Sequence, residues 1–131
     1  MANTADEGRV RCVTGNILTA GVNTGTIVIP PDSSRSIIIT GGWLRALGGN
    51  AATATTVNVS DTTGTPVVNL AIAVGTLKED AVVDFNLGAN ITKTTYGTAN
   101  TKGKGIQIIK AGAGALATCT SIDYCIKYKT I

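Results

Sequence analysis

The chain has 131 residues and a formal net charge of +3, with 44% hydrophobic and 15% charged residues. That length fits one domain able to bury a real core without staples, and so few charges argue against a disordered solvating tail or a coiled coil. There is no histidine, so the commonest general base and metal ligand is missing, which disfavours Ser-His-Asp hydrolases, Cys-His proteases and most zinc enzymes.

Taken in order, the chain opens with Met1-Ala-Asn-Thr-Ala-Asp-Glu-Gly8, small and polar. It has acids where a secretory signal needs bases, and no apolar centre. The segment predicts a flexible arm over 1–8 ahead of a domain over 9–131. Short runs with β character follow: Arg9–Thr14, Ile17–Val22, Thr26–Ile29, Ser36–Leu47, Thr55–Ser60, Pro66–Val74, Ala81–Leu87, Gly105–Lys110 and Leu116–Thr130. Turn signals separate them, among them Gly15-Asn16, Pro30-Pro31-Asp32, Asp61-Thr-Thr-Gly64, Gly88-Ala-Asn90 and Lys102-Gly-Lys-Gly105. With 21 threonines and 16 glycines but no helical periodicity, the pattern predicts strands. Only Val74–Asp84 looks helix-like, and it reads as a loop or a single turn. Gly41-Gly42 predicts a bulge or bend that lets one long strand change sheets. The final run alternates, with Ile122, Tyr124, Ile126 and Tyr128 on one face and Asp123, Cys125, Lys127 and Lys129 on the other. These features predict an all-β fold: a single antiparallel β-sandwich, jelly-roll-like, of about nine strands with little helix. No apolar run approaches the ~20 residues of a membrane helix, and no membrane partner is expected.

Little in the chain points to catalysis. Gly112-Ala-Gly114 lacks the third glycine and the helix of a dinucleotide site, and Lys102-Gly-Lys-Gly105 lacks the spacing of a phosphate loop. No pairing of carboxylates across a sugar is indicated, and Asp61 reads as an Asx-turn cap on a hairpin. Residues 91–131 hold six of the seven lysines, but they are scattered, and aromatics make up 4% of the chain. That is sparse for nucleic-acid or sugar binding. Cys12, Cys119 and Cys125 form an odd set without Cys-x-x-Cys. If Cys119 and Cys125 share one strand, they lie roughly 20 Å apart, so the thiols are expected to be free, small apolar fillers in a reducing compartment. Trp43 reads first as a core residue. Arg45 has the same parity, so it can stack or bridge at an interface.

Ile27-Val-Ile-Pro-Pro-Asp-Ser-Ser-Arg35, Trp43-Leu-Arg-Ala-Leu-Gly-Gly49, Val57-Asn-Val-Ser-Asp-Thr-Thr-Gly-Thr65 and Ile122-Asp-Tyr-Cys-Ile-Lys-Tyr128 resemble small Thr/Gly/Ala-rich structural proteins of tailed bacteriophages, in particular capsid decoration, or cement, proteins. The resemblance covers roughly Gly25 to the end. It implies a jelly-roll-like domain that trimerises on the outer capsid surface where capsomers meet, made in the host cytoplasm and carried on the virion. Its implied partners are the major capsid protein and itself, without direct nucleic-acid contact. It brings no catalytic residue, cofactor or metal, and the chain is expected not to be an enzyme. Candidate contact residues are Asn3, Thr4, Asp6 and Glu7 of the arm, Arg9 and Arg11 beside it, and Trp43 and Arg45. The competing expectation is a receptor- or glycan-binding β-module of a phage tail or head fibre.

Overall fold

The computed structural model describes residues 9–63, 65, 67–88 and 90–131, and 50% of the chain is strand and 8% helix. In order, the described elements are β1 (Arg11–Leu18), α1 (Thr19–Thr24), β2 (Thr26–Ile29), β3 (Ile37–Leu47), β4 (Thr56–Asp61), β5 (Val68–Ala73), a 3-10 turn (Val74–Thr76), β6 (Val82–Asp84), β7 (Ile91–Lys93), β8 (Ile106–Ala111) and β9 (Ser121–Thr130). They build a four-stranded sheet, β1-β9-β3-β6, and a five-stranded sheet, β2-β8-β4-β5-β7. Every strand pairing is antiparallel. The pairs are nested: β4 with β5, β3 with β6, β2 with β8 and β1 with β9. A long hairpin rolled over on itself gives this order, and it is the jelly-roll arrangement the sequence predicts.

Alternation fills the space between the sheets. Val57 and Val59 of β4, Leu70 and Ile72 of β5, and Ile106 and Ile108 of β8 are fully buried from one side. Ile39, Leu44, Ile122 and Ile126 are fully buried from the other, with Phe85 in the turn after β6. Each such side chain contributes about 1.5–3 kcal/mol relative to exposure, so the two-faced strands dictate the two-layer architecture.

β3 places its apolar residues out of phase for a regular strand. Ile37 and Ile39 occupy odd positions, Leu44 and Ala46 even ones, yet all four are buried. The ladder to β9 shifts register between Ile39 and Gly41. Thr40 is the extra residue of a β-bulge, and it flips the parity so that both apolar sets reach the core. The strand does not change sheets as the sequence suggested. Its pairing with β9 runs from Ile37↔Thr130 to Leu47↔Ser121 without leaving the ladder. The same flip turns Trp43 away from the core, where it is half-buried, which overturns its first reading.

Three local expectations also fail. Gly15-Asn16 lies inside β1 rather than in a turn, because its pairing to Tyr124 and Asp123 is continuous. Ile17–Val22 is not one strand: the chain leaves the sheet at Leu18 and forms α1. Val22 is fully buried, and Asn23 grips the backbone of Leu116, donating to its carbonyl at 3.2 Å and accepting from its N–H at 2.7 Å. Those tertiary contacts outweigh β propensity where the chain must cross between sheets. The last strand begins at Ser121 rather than Leu116, because Thr118 has φ +73° and the Thr120 N–H bonds the Leu47 carbonyl. Cys119 therefore lies outside the strand that holds Cys125. β7 escapes the sequence reading because three residues carry too little pattern.

Gly42 is the tightest point of the bulge. Its φ is +132°, and a Cβ there meets the Cys125 carbonyl oxygen and, at 2.8 Å, the Phe85 ring. Gly42→Ala is expected to destabilise the fold by about 2–4 kcal/mol, whereas Gly75→Ala, with nothing within 4 Å of the new atom, changes stability by less than about 1 kcal/mol. Urea unfolding of both variants checks the pair, and equal losses contradict the bulge constraint.

Candidate interaction face

The outward face of the four-stranded sheet carries polar and aromatic chemistry in two rows. One row crosses the sheet as Thr14, Cys125, Trp43 and Asp84; the next as Asn16, Asp123, Arg45 and Val82. Arg45 Nη2 donates to Asp123 Oδ2 at 2.7 Å, and the Asn16 amide donates to Asp123 Oδ1 at 2.7 Å and to the Ser121 hydroxyl at 2.9 Å. The guanidinium also lies over the Trp43 ring, 5.6 Å from its centroid, which orders both side chains by cation–π attraction. Within the chain Arg45 thus both bridges Asp123 and stacks on Trp43. Hydrogen bonds from Arg45 and then Asn16 hold the Asp123 carboxyl below its ordinary value of 3.8.

The other candidate residues separate from this face. Arg9 is exposed just ahead of β1. Arg11 opposes Tyr128 on the inward-facing parity of β1 and lines an open cleft of about 510 Å³ at one end of the sandwich, with Pro30, Pro31, Arg35, Tyr128 and Thr130. Asn3, Thr4, Asp6 and Glu7 lie outside the described residues. The structure thus brings Trp43 and Arg45 together, adds Asp123 and Asn16 beside them, which sequence reasoning did not single out, and sets Arg11 apart. The alternation of β9 put Asp123 on the solvent face; only the register against β1 and β3 shows what it meets there.

Three other carboxylates cap their own turns. Asp61 Oδ1 accepts from the Thr63 N–H and hydroxyl and from the Val67 N–H, which is the expected cap of the β4–β5 hairpin. Asp84 Oδ1 caps Asn86 and Leu87, and Asp32 Oδ1 caps Ser34. Among the described residues no three His, Cys, Asp or Glu side chains gather as a metal set, and no helix is long and apolar enough to cross a membrane. The chain matches no protein-family model, and neither the curated proteins nor the solved structures contain a match.

Because the Asp123 carboxyl is more acidic folded than unfolded, its contribution is complete above the unfolded value of about 4 and is lost as pH falls through the folded one. Asp123→Asn is expected to cost about 1 kcal/mol at pH 7 and less at pH 3. Parallel urea titrations at the two pH values measure the gap; a gap that does not narrow contradicts the assignment.

Proposed function

We propose that the chain is a virion structural protein that decorates and stabilises the outer surface of a bacteriophage capsid, binding the major capsid protein at capsomer junctions as a homotrimer. The resemblance of the Ile27–Arg35, Trp43–Gly49, Val57–Thr65 and Ile122–Tyr128 segments motivates this reading. Its strongest structural support is the Trp43–Arg45–Asp123 face. Trp and Arg are the residue types that dominate binding energy at protein interfaces, and here they are pre-ordered on a rigid sheet rather than on a loop, which lowers the entropy lost on docking. On this reading the protein acts by binding, without catalysis: the shell is tied together by many copies of one modest contact. Three linked subunits on one threefold site raise avidity by about 10²–10⁴ without any better individual contact.

A glycan-binding fibre module is the second reading, because a half-buried tryptophan on an outward sheet face can stack on a sugar ring. The position of Arg45 weighs against it, since its guanidinium already lies over the Trp43 ring, covering the face a sugar would use.

Titrating labelled protein onto undecorated capsids tests the choice. Trp43→Ala is expected to weaken binding by about 30-fold or more while leaving the unfolding free energy within about 1 kcal/mol, since the indole packs outside the core. Unchanged capsid affinity, or binding to immobilised glycans in place of capsids, contradicts the proposal.

A further inference from the structure

Cys12 and Cys125 come from opposite ends of the chain, 113 residues apart, and their Sγ atoms lie 2.9 Å from each other. Cys12 is exposed on β1, an edge strand of its sheet, which corrects its reading as a small apolar filler. Cys125 is buried at 5% exposure on the neighbouring strand, β9. They are diagonal partners: Cys12 opposes Lys127 and Cys125 opposes Thr14, so both side chains leave the same face of the sheet. The third cysteine, Cys119, is buried at 5% exposure, with its sulfur 3.7 Å from the Thr19 hydroxyl.

We propose that Cys12 and Cys125 form an oxidation site, a reversible disulfide that staples the first strand of the jelly roll to the last. The two thiols have different parts. Cys12 is accessible and meets the oxidant first. Cys125 is shielded: burial and then the neighbouring Cys12 thiol push it up to about 11, so it reacts slowly with anything in solution but stands beside the Cys12 sulfur. With oxidised glutathione as oxidant, the Cys12 thiolate attacks one sulfur of its disulfide. A Cys12–glutathione bond forms and one glutathione thiolate leaves. The Cys125 thiolate then attacks Cys12 Sγ, forms the Cys12–Cys125 bond and expels the second glutathione thiolate. In all, two electrons and two protons pass from the protein thiols to one oxidised glutathione, which leaves as two molecules of reduced glutathione.

The staple acts at the outermost pair of the nested hairpin, β1 with β9. Closing a loop of this length constrains the unfolded chain strongly. Diagonal partners of an antiparallel ladder stand about 7–8 Å apart at Cα, just beyond the usual span of a disulfide, so the edge strand β1 shifts toward β9 as the bond closes, and the bond is strained and reducible. It suits a lock set by the surroundings. Resting on the function proposed above, such a bond forms after a particle assembled in a reducing cell is released, stiffening the sheet whose outer face carries Trp43 and Arg45. Oxidation itself needs no capsid, so its failure and that of the capsid reading are separable.

The experiment treats the isolated full chain with oxidised glutathione and counts thiols after denaturation, maps cross-linked peptides by mass spectrometry, and follows thermal unfolding with and without reductant. The count is expected to fall from three to one, with Cys12 joined to Cys125, and the unfolding midpoint to rise by about 3 °C or more and return on reduction. Cys119→Ser retains the cross-link. Cys12→Ser, a change at an exposed position that leaves the core intact, abolishes both the cross-link and the shift. Three persistent thiols, a stable Cys12–glutathione adduct that does not resolve, a bond to Cys119, or a Cys12–Cys125 bond that lowers the midpoint overturns the proposal.

Discussion

The bulge in β3 is the constraint on which both the core and the outer face depend. A regular strand alternates without exception, so Ile37 and Ile39 cannot share a face with Leu44 and Ala46 unless one residue is dropped from the ladder. Thr40 is that residue. Gly42 makes the correction sterically possible, because a side chain there would run into the Cys125 carbonyl and the Phe85 ring. Everything outward of that point follows. The parity that sends Leu44 and Ala46 inward sends Trp43 and Arg45 outward, opposite Asp84, Cys125, Val82 and Asp123. Without the bulge, burying Leu44 and Ala46 would expose two isoleucines. With it, the sheet has one apolar face and one face carrying an ordered Trp–Arg–Asp group.

The nested topology has a second consequence. The strands nearest the chain's ends pair with each other along all of β1, so the four-stranded sheet closes only when the most distant parts of the sequence meet. Long-range pairing of this kind is slow to form, because the loop entropy is lost before the contacts compensate it. The sandwich also guards its edges. Where β6 leaves the first part of β3 uncovered, the N–H groups of Gly97, Asn100 and Gly103 bond the carbonyls of Ile39, Ile37 and Arg35. The buried Asn69 amide, donating to Thr95 and Asn100 at 2.9 and 2.7 Å, anchors that loop to the opposite sheet.

The fold was legible in the sequence to the extent that it rests on local alternation. Val57-Asn-Val59, the even positions from Ile122 to Tyr128 and the Asp61 hairpin cap all announce themselves within a few residues. What failed depended on distant partners. α1 exists because Val22 and Asn23 find the core and Leu116, and the start of β9 is set by a left-handed Thr118 and a bond to Leu47. Trp43 is the instructive case. Its exposure follows from Gly41-Gly42, which the sequence marked as a bulge, but the direction of the parity change needed the register against β9. The candidate face was half legible for the same reason: Trp43 and Arg45 share a parity, whereas Asp123, Asn16 and the meeting of Cys12 with Cys125 belong to inter-strand register.

On the proposed function, the outward face of the β1-β9-β3-β6 sheet is the surface through which the chain acts. A density map of the intact particle carrying this chain, at a resolution that traces β3 and β9, tests it most directly. The expected result is a jelly roll at each capsomer junction, three copies around a local threefold axis, with Trp43 and Arg45 buried against the major capsid protein. Particles whose heads lack the chain, or heads on which it docks through the five-stranded sheet with Trp43 facing solvent, would contradict it.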